Sequence, residues 1–244
     1  MNWLEVDQGN SRVKWRFRAD DLVVTEGTAE TPEHVAGLLA AKDLSPGSIA
    51  LSSVRDPGEI SKWQTLFHSS DLWVVQSKAE VPGLVIAYRE PRHLGVDRWL
   101  AMLAAVRRFP RETLAIVDAG TALTFDVVNR EGVHLGGMIA PGLQLMARAV
   151  DEGMARVSPD TEIPAVFLGK STSECVRGGL WAALTGIIEV GLRSVKETGV
   201  DRLILTGGDA AGLADVLSLP VTLTLQDDLV LEGVYHARCL EFSQ

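Results

Sequence analysis

Cysteine is scarce in this 244-residue chain: Cys175 and Cys239 lie far apart and form no Cys-x-x-Cys pair. That usage excludes a disulfide framework and fits a reducing compartment. Positive charge is also in deficit, with 23 Lys and Arg against 32 Asp and Glu and a formal net charge of −9. Nucleic acid is gripped through clustered Lys and Arg, so no nucleic-acid partner is expected. The five histidines, His34, His68, His93, His134 and His236, show no His-x-x-x-His or mixed Cys spacing, so no transition-metal site is expected. Met1 to Asp7 has neither a basic n-region nor an apolar h-region, and no later stretch reads as the roughly 18 apolar residues of a membrane span. The expectation is a cytoplasmic protein with no membrane partner. What remains is ordinary globular material, 46% apolar and 23% charged, enough for a substantial core in one large domain or two small ones.

The opening residues alternate. Leu4 and Val6 run into Asp7-Gln8-Gly9-Asn10-Ser11, and Val13-Lys14-Trp15-Arg16-Phe17 alternates again, which reads as strand, tight turn and returning strand. Asp20-Asp21 turns into a third strand at Leu22-Val23-Val24, and Thr31-Pro32-Glu33 supplies an N-cap, an N1 proline and an acid for a helix to about Ala41. A strand from Ser48 to Val54, a helix from Glu59 to Phe67 and a strand from Leu72 to Val75 follow. The second half begins the same way: Leu114 to Val117 runs into Asp118-Ala119-Gly120-Thr121, Thr124 to Val128 returns, and Val133-His134-Leu135 is a third strand. Helices from Pro141-Gly142 to Val150 and from Ser173 to Thr198, strands at Arg202 to Leu205 and Val221 to Leu225, a short helix after Gly207-Gly208-Asp209 and a closing helix from Leu229 complete it. Two halves that open alike imply a duplicated α/β domain, 1–112 and 113–244, with a cleft between the copies and a boundary near Pro110 to Thr113.

A glycine in a tight turn lets backbone N–H groups face a ligand with no Cβ in the way, and the Asn or Thr that follows adds a side-chain donor. Such turns cradle phosphate. The aspartate ending each incoming strand repels phosphate, so its partner is a cation, or a cation-bound water, that bridges to phosphate oxygens. One Asp-x-Gly-Asn or Asp-x-Gly-Thr is an ordinary hairpin turn. Two at the heads of matching halves, Asp7 and Asp118, point to a metal-nucleotide site.

Two stretches imitate other nucleotide motifs. Leu205-Thr206-Gly207-Gly208-Asp209-Ala210 follows a strand and opens a helix, but a dinucleotide fingerprint would need glycine where Asp209 stands. It suits a backbone laid against a flat ligand or pyrophosphate. Leu168-Gly169-Lys170-Ser171-Thr172 resembles the tail of a P-loop, but the first glycine of that motif would fall on Pro164, which has no N–H to offer.

Taken together, these motifs resemble those of the type III pantothenate kinases. Asp7-Gln8-Gly9-Asn10-Ser11 is similar to their first phosphate motif, Asp118-Ala119-Gly120-Thr121 to the second, and Gly95-Val96-Asp97-Arg98 to their pantothenate motif. Gly136-Gly137-x-Ile139-x-Pro141-Gly142, Leu205 to Asp209 and Leu229-Val230-Leu231-Glu232-Gly233 follow in the family's order, and the resemblance covers the whole chain. It implies duplicated ribonuclease H-like domains of the actin-like ATPase superfamily, with the nucleotide cleft between them. It also implies phosphorylation of the primary hydroxyl of pantothenate by ATP, a homodimer, and dependence on Mg2+ and a monovalent cation, K+ or NH4+.

Residue by residue, the resemblance makes Asp97 the catalytic proton acceptor, with Gly95, Val96, Asp97 and Arg98 lining the pantothenate site together with Tyr88 and Thr172. An arginine beside it can pair with a carboxylate such as pantothenate's, and an aspartate can take the proton late, as the phosphate ester forms. ATP would be contacted by Asp7, Gln8, Gly9, Asn10, Ser11, Arg12, Val13 and Lys14, and by Thr121, Gly207 and Gly208. Asp118 would hold the monovalent cation and Asp7 the magnesium, directly or through water. The alternatives are another kinase of the superfamily, acting on a sugar, acetate or polyphosphate, and a non-catalytic regulator of gene expression built on the same fold. The long apolar helix near Ser173 to Thr198 is the candidate dimer interface.

Overall fold

In the computed structural model, which describes residues 2–68, 70–154, 160–165 and 167–242, the chain forms two units. The first holds residues 1–82, 88–104 and 228–244, and the second 83–87 and 105–227.

The first unit is built on β1 (Asn2–Gln8), β2 (Val13–Ala19), β3 (Leu22–Ala29), β4 (Ser48–Ser53) and β5 (Asp71–Val74), arranged β3-β2-β1-β4-β5. Its first three strands are antiparallel; β4 joins β1, and β5 joins β4, in parallel. Helix α1 (Pro32–Ala40) starts where the sequence predicts, with the Thr31 hydroxyl accepting from the His34 N–H and Pro32 just inside. Helix α2 (Pro57–Leu66) starts two residues before Glu59, because Pro57 takes the same early position. Leu4 and Val6 of β1 meet Trp15, Phe17, Val35, Leu39, Ile49, Leu51 and Trp63 in one core.

The opposite face of β1 is buried too. Trp3 stacks on Tyr235 with ring centroids 6.2 Å apart, and Glu5 is fully buried beside it. Tyr235 comes from the closing helix, which is why that helix groups with the first sheet although it lies at the far end of the chain. A cut at 112/113 leaves each sheet whole on one side but assigns this helix to the other half. Two short strands, β6 (Glu80–Val81) and β7 (Leu84–Val85), and a single 3-10 turn at Pro91–His93 lead to helix α3 (Val96–Arg108).

The second unit repeats the plan. Strands β8 (Leu114–Ala119), β9 (Ala122–Val128), β10 (His134–Pro141), β11 (Arg202–Thr206) and β12 (Thr222–Leu225) lie in the order β10-β9-β8-β11-β12, with the same antiparallel and parallel pairings. Strand β10 runs six residues past Leu135, because the glycine pair after it enters the sheet through a register shift between His134 and Gly136. Helix α4 (Leu143–Gly153), helix α5 (Thr172–Ser194) and helix α6 (Ala210–Val216) accompany this sheet, and helix α7 (Leu229–Phe242) is the closing helix. Helix α5 ends four residues before Thr198, in turns that finish at Gly199 with φ +72°. Contrary to the sequence expectation, α5 is long and apolar enough to cross a membrane by length and composition. Its Leu180, Trp181, Leu184 and Ile188 are buried with Val117, Phe125, Leu203 and Leu205 in the second core.

Candidate active site

The first turn forms where β1 ends. Asp7 lies opposite Lys14 on β2 and opposite Ser52 on β4, and its Oδ1 accepts a hydrogen bond from Ser52 Oγ at 3.3 Å. The Gly9 N–H closes the turn on the Arg12 carbonyl at 3.0 Å, leaving Asn10, Ser11 and Arg12 exposed. Two neighbours point inward. Gln8 is buried, its Oε1 accepting from Trp63 Nε1 at 3.1 Å and Ser53 Oγ at 3.2 Å, and Val13 belongs to the core. Both therefore offer a ligand backbone rather than side chain. Lys14 Nζ lies 2.8 Å from Asp228 Oδ1, and Arg16 lies 3.7 Å from the other oxygen. Asp228 has φ +53°, a conformation that aspartate tolerates better than most residues.

Arg55, which the sequence reading passed over, reaches this turn from just beyond β4. Its Nε donates to the Gly9 carbonyl at 3.1 Å, and Nη2 donates to the Asn10 carbonyl. No local pattern marks it: β4 runs parallel to β1, and that pairing alone brings the C-terminal ends of both strands to the same edge.

The second turn is tied together from three junctions. The Gly120 N–H donates to the Ala122 carbonyl at 3.0 Å, the Gly142 N–H to Thr121 at 2.9 Å, and the Asp209 N–H to Ala119 at 3.0 Å. Asp118 sits between Thr124 and Thr206 on the neighbouring strands. Gly207 has φ +94°, and a Cβ there would lie 2.5 Å from both Asp118 Oδ1 and the Ala119 carbonyl. Asp118, Thr121 and Gly207 are thus brought into one place, with exposed Gly208 beside them. Asp209, half-buried at the start of α6, has its carboxyl pushed up from the usual range by burial.

The third group stands at the start of α3. Asp97 lies in its first turn, and Oδ1 accepts from the Arg98 N–H at 2.8 Å. Arg98 is only 5% exposed; its Nη1 donates to Tyr88 Oη at 2.7 Å, and its guanidinium carbon lies 5.6 Å from the Tyr88 ring centre. Gly95 permits this arrangement, since a Cβ on it would sit 2.6 Å from Asp97 Oδ1. Val96, at the head of the helix, is partly buried. Thr172 belongs to the second unit, exposed as the first residue of α5. The stretch before it is a helix cap: Ser171 Oγ accepts from the Glu174 N–H at 3.3 Å, and Glu174 Oε2 accepts from the Lys170 N–H at 2.6 Å.

Among the described residues no three His, Cys, Asp or Glu gather as a metal-binding group. The donor at the first turn is a single carboxylate, Asp7, beside a serine hydroxyl. That fits Mg2+, which keeps several waters and takes one or two carboxylates along with substrate phosphates.

A family model described as type III pantothenate kinase matches residues 3–194. The type III pantothenate kinase of Teredinibacter turnerae is 36% identical over 244 aligned residues, covering 95% of this chain and 96% of its own. Solved structures share the fold as well. A protein described as a 2-dehydro-3-deoxygalactonokinase from Sinorhizobium meliloti superposes with a TM-score of 0.67 at 14% identity, covering 99% of this chain and all of its own. Acetate kinase from Entamoeba histolytica superposes with a TM-score of 0.53 at 10% identity, covering the whole of both chains. The architecture is therefore the duplicated α/β fold of the actin-like ATPases and sugar kinases, and the chain belongs to the type III pantothenate kinase family.

Proposed function

We propose that this chain transfers the γ-phosphoryl group of ATP to the primary hydroxyl of pantothenate, giving 4'-phosphopantothenate and ADP as the first step of coenzyme A synthesis. The observation that carries the reading is the start of α3, where Asp97 stands beside a buried Arg98 held by Tyr88. Pantothenate is a small hydroxy acid. In this reading Arg98 pairs with its carboxylate and Tyr88 fixes the guanidinium plane, so the hydroxyl end is delivered to Asp97. The hydroxyl oxygen forms a bond to phosphorus as the bond to the ADP oxygen breaks, and the hydroxyl proton passes to Asp97. Gly95 and Val96 line the same site, with Thr172 as a further contact.

ATP is contacted by the turn from Asp7 to Lys14 and by Thr121, Gly207 and Gly208. Asp7 would hold magnesium, directly or through water, and Asp118 a monovalent cation, K+ or NH4+. Bound there, the cations neutralise charge that builds on the phosphate oxygens. Lys14 lies opposite Asp7 in the strand register, and its ammonium is ion-paired to Asp228. We also propose a homodimer, a cytoplasmic location and a duplication dividing at 112/113. Another superfamily kinase and a non-catalytic regulator are both disfavoured by a curated relative of nearly full coverage named as a pantothenate kinase.

The test is ADP release by the purified protein with Mg2+, K+ and a panel of acceptors. Turnover with pantothenate and loss of turnover in Asp97→Asn are expected; ADP release with a sugar and none with pantothenate would overturn the assignment.

A further inference from the structure

Arg55 plays no part in the chemistry above, yet it is fixed at both ends. Its backbone N–H donates to Ser53 Oγ at 3.2 Å, and that hydroxyl donates to Gln8 Oε1, which Trp63 of α2 also holds. Its guanidinium grips two consecutive carbonyls of the first turn, those of Gly9 and Asn10. The preceding residues of the same strand end supply Ser52, which donates to Asp7.

A trans peptide is planar, with its C=O and N–H on opposite edges. The Gly9 carbonyl shares a plane with the Asn10 N–H, and the Asn10 carbonyl shares one with the Ser11 N–H. Holding both carbonyls from the Arg55 side therefore turns both N–H groups the other way. A cation at the carbonyl ends also strengthens the positive ends of the same dipoles. The Gly9 N–H is spent on closing the turn. Successive N–H groups aimed alike are what an anion-binding turn needs.

We infer that Arg55 is a positioning residue for the nucleotide: it braces the Gly9 to Ser11 peptides so that the Asn10 and Ser11 N–H groups face the phosphate chain. The inference rests on the reading that the first turn binds ATP and adds the device that orders it. Charge alone does not fulfil the role, because a fork is needed to span two carbonyls.

Calorimetric titration of the whole protein with Mg-ATP, together with steady-state kinetics, tests it. Arg55→Ala should weaken Mg-ATP binding about tenfold and raise the KM for ATP to match. The KM for pantothenate and kcat should change by less than about threefold, since neither pantothenate binding nor proton transfer passes through the brace. Arg55→Lys should recover only part of the loss. Unchanged Mg-ATP affinity in Arg55→Ala, full recovery in Arg55→Lys, or equal losses in kcat and both KM values with a lowered Tm would each overturn the brace. Ser11→Pro removes one of the two N–H groups. Loss of Mg-ATP binding in it with Arg55→Ala silent overturns the brace alone, while silence in both overturns the phosphate-turn reading beneath it.

Discussion

Asp97 and Glu5 are both partly or wholly withdrawn from water, and they are put to opposite uses. Asp97 sets its carboxyl against the Arg98 N–H in the first turn of α3, at the surface of the proposed substrate site. Replacing it by asparagine preserves shape and removes the acceptor. Turnover in Asp97→Asn should fall by roughly 10²- to 10⁴-fold, with Mg-ATP affinity by calorimetry unchanged. Glu5 lies inside the first unit beside Arg18 and Arg16, and its carboxyl is pushed up to about 7 because burial outweighs the pull of the arginines. The folded state then holds a proton that the unfolded state releases above about 4.5. The stability this contributes is full below pH 4.5 and is lost as pH rises to about 7. Glu5→Gln mimics the protonated form, so the urea midpoint of the wild type should fall relative to that of Glu5→Gln between pH 4.5 and about 7. A difference that stays flat over that range would mean that Glu5 is ionised throughout.

At the scale of the elements, the two turns depend on backbone more than on side chains. Gly207→Ala puts a methyl group where the Asp118 carboxylate and the Ala119 carbonyl already stand, at a φ that alanine adopts only with strain. It should cost about 1–3 kcal/mol in denaturant unfolding and weaken ATP binding, whereas Gly208→Ala, with open space around it, should be mild in stability. Thr31→Ala, which removes the cap of α1, should cost about 1 kcal/mol with ATP binding untouched.

Much of this level was legible in the sequence. Alternation in the opening strands, the Thr31-Pro32 start and the repeated Asp-x-Gly turns gave the strand and helix order and the repeated sheet plan. The run of β10 past Leu135 was not legible, because glycines at 136 and 137 mimic a loop until the partner strand supplies their hydrogen bonds. The early start of α2 was missed at Pro57, and the brace at Arg55 had no local pattern at all. It depends on β4 lying beside β1, which only topology provides. Gln8 and Val13 sit within a phosphate-type motif, yet their side chains turn inward by the period of the strand.

At the scale of the whole molecule, sequence order and structural grouping differ. The first unit needs residues from the far end of the chain, because α7 covers the face of β1 that carries Trp3 and Glu5. A chain ending at residue 227 should therefore lose the cooperative unfolding of the first unit and expose apolar surface to a hydrophobic dye; retention of a full cooperative transition would contradict this packing. Asp118 is proposed to act through a cation on bound phosphates and not on the fold. Activity should be far higher in potassium than in sodium buffer, and Asp118→Asn should abolish that difference. Equal rates in both salts for the wild type would remove the assignment.

The most direct measurement is mass analysis of the acceptor after incubation of the purified protein with pantothenate, ATP, Mg2+ and K+. The expected product is pantothenate carrying one added phosphoryl group, formed in step with ADP and absent with Asp97→Asn. Unmodified pantothenate alongside active ATP turnover, or phosphorylation that survives in Asp97→Asn, would contradict it.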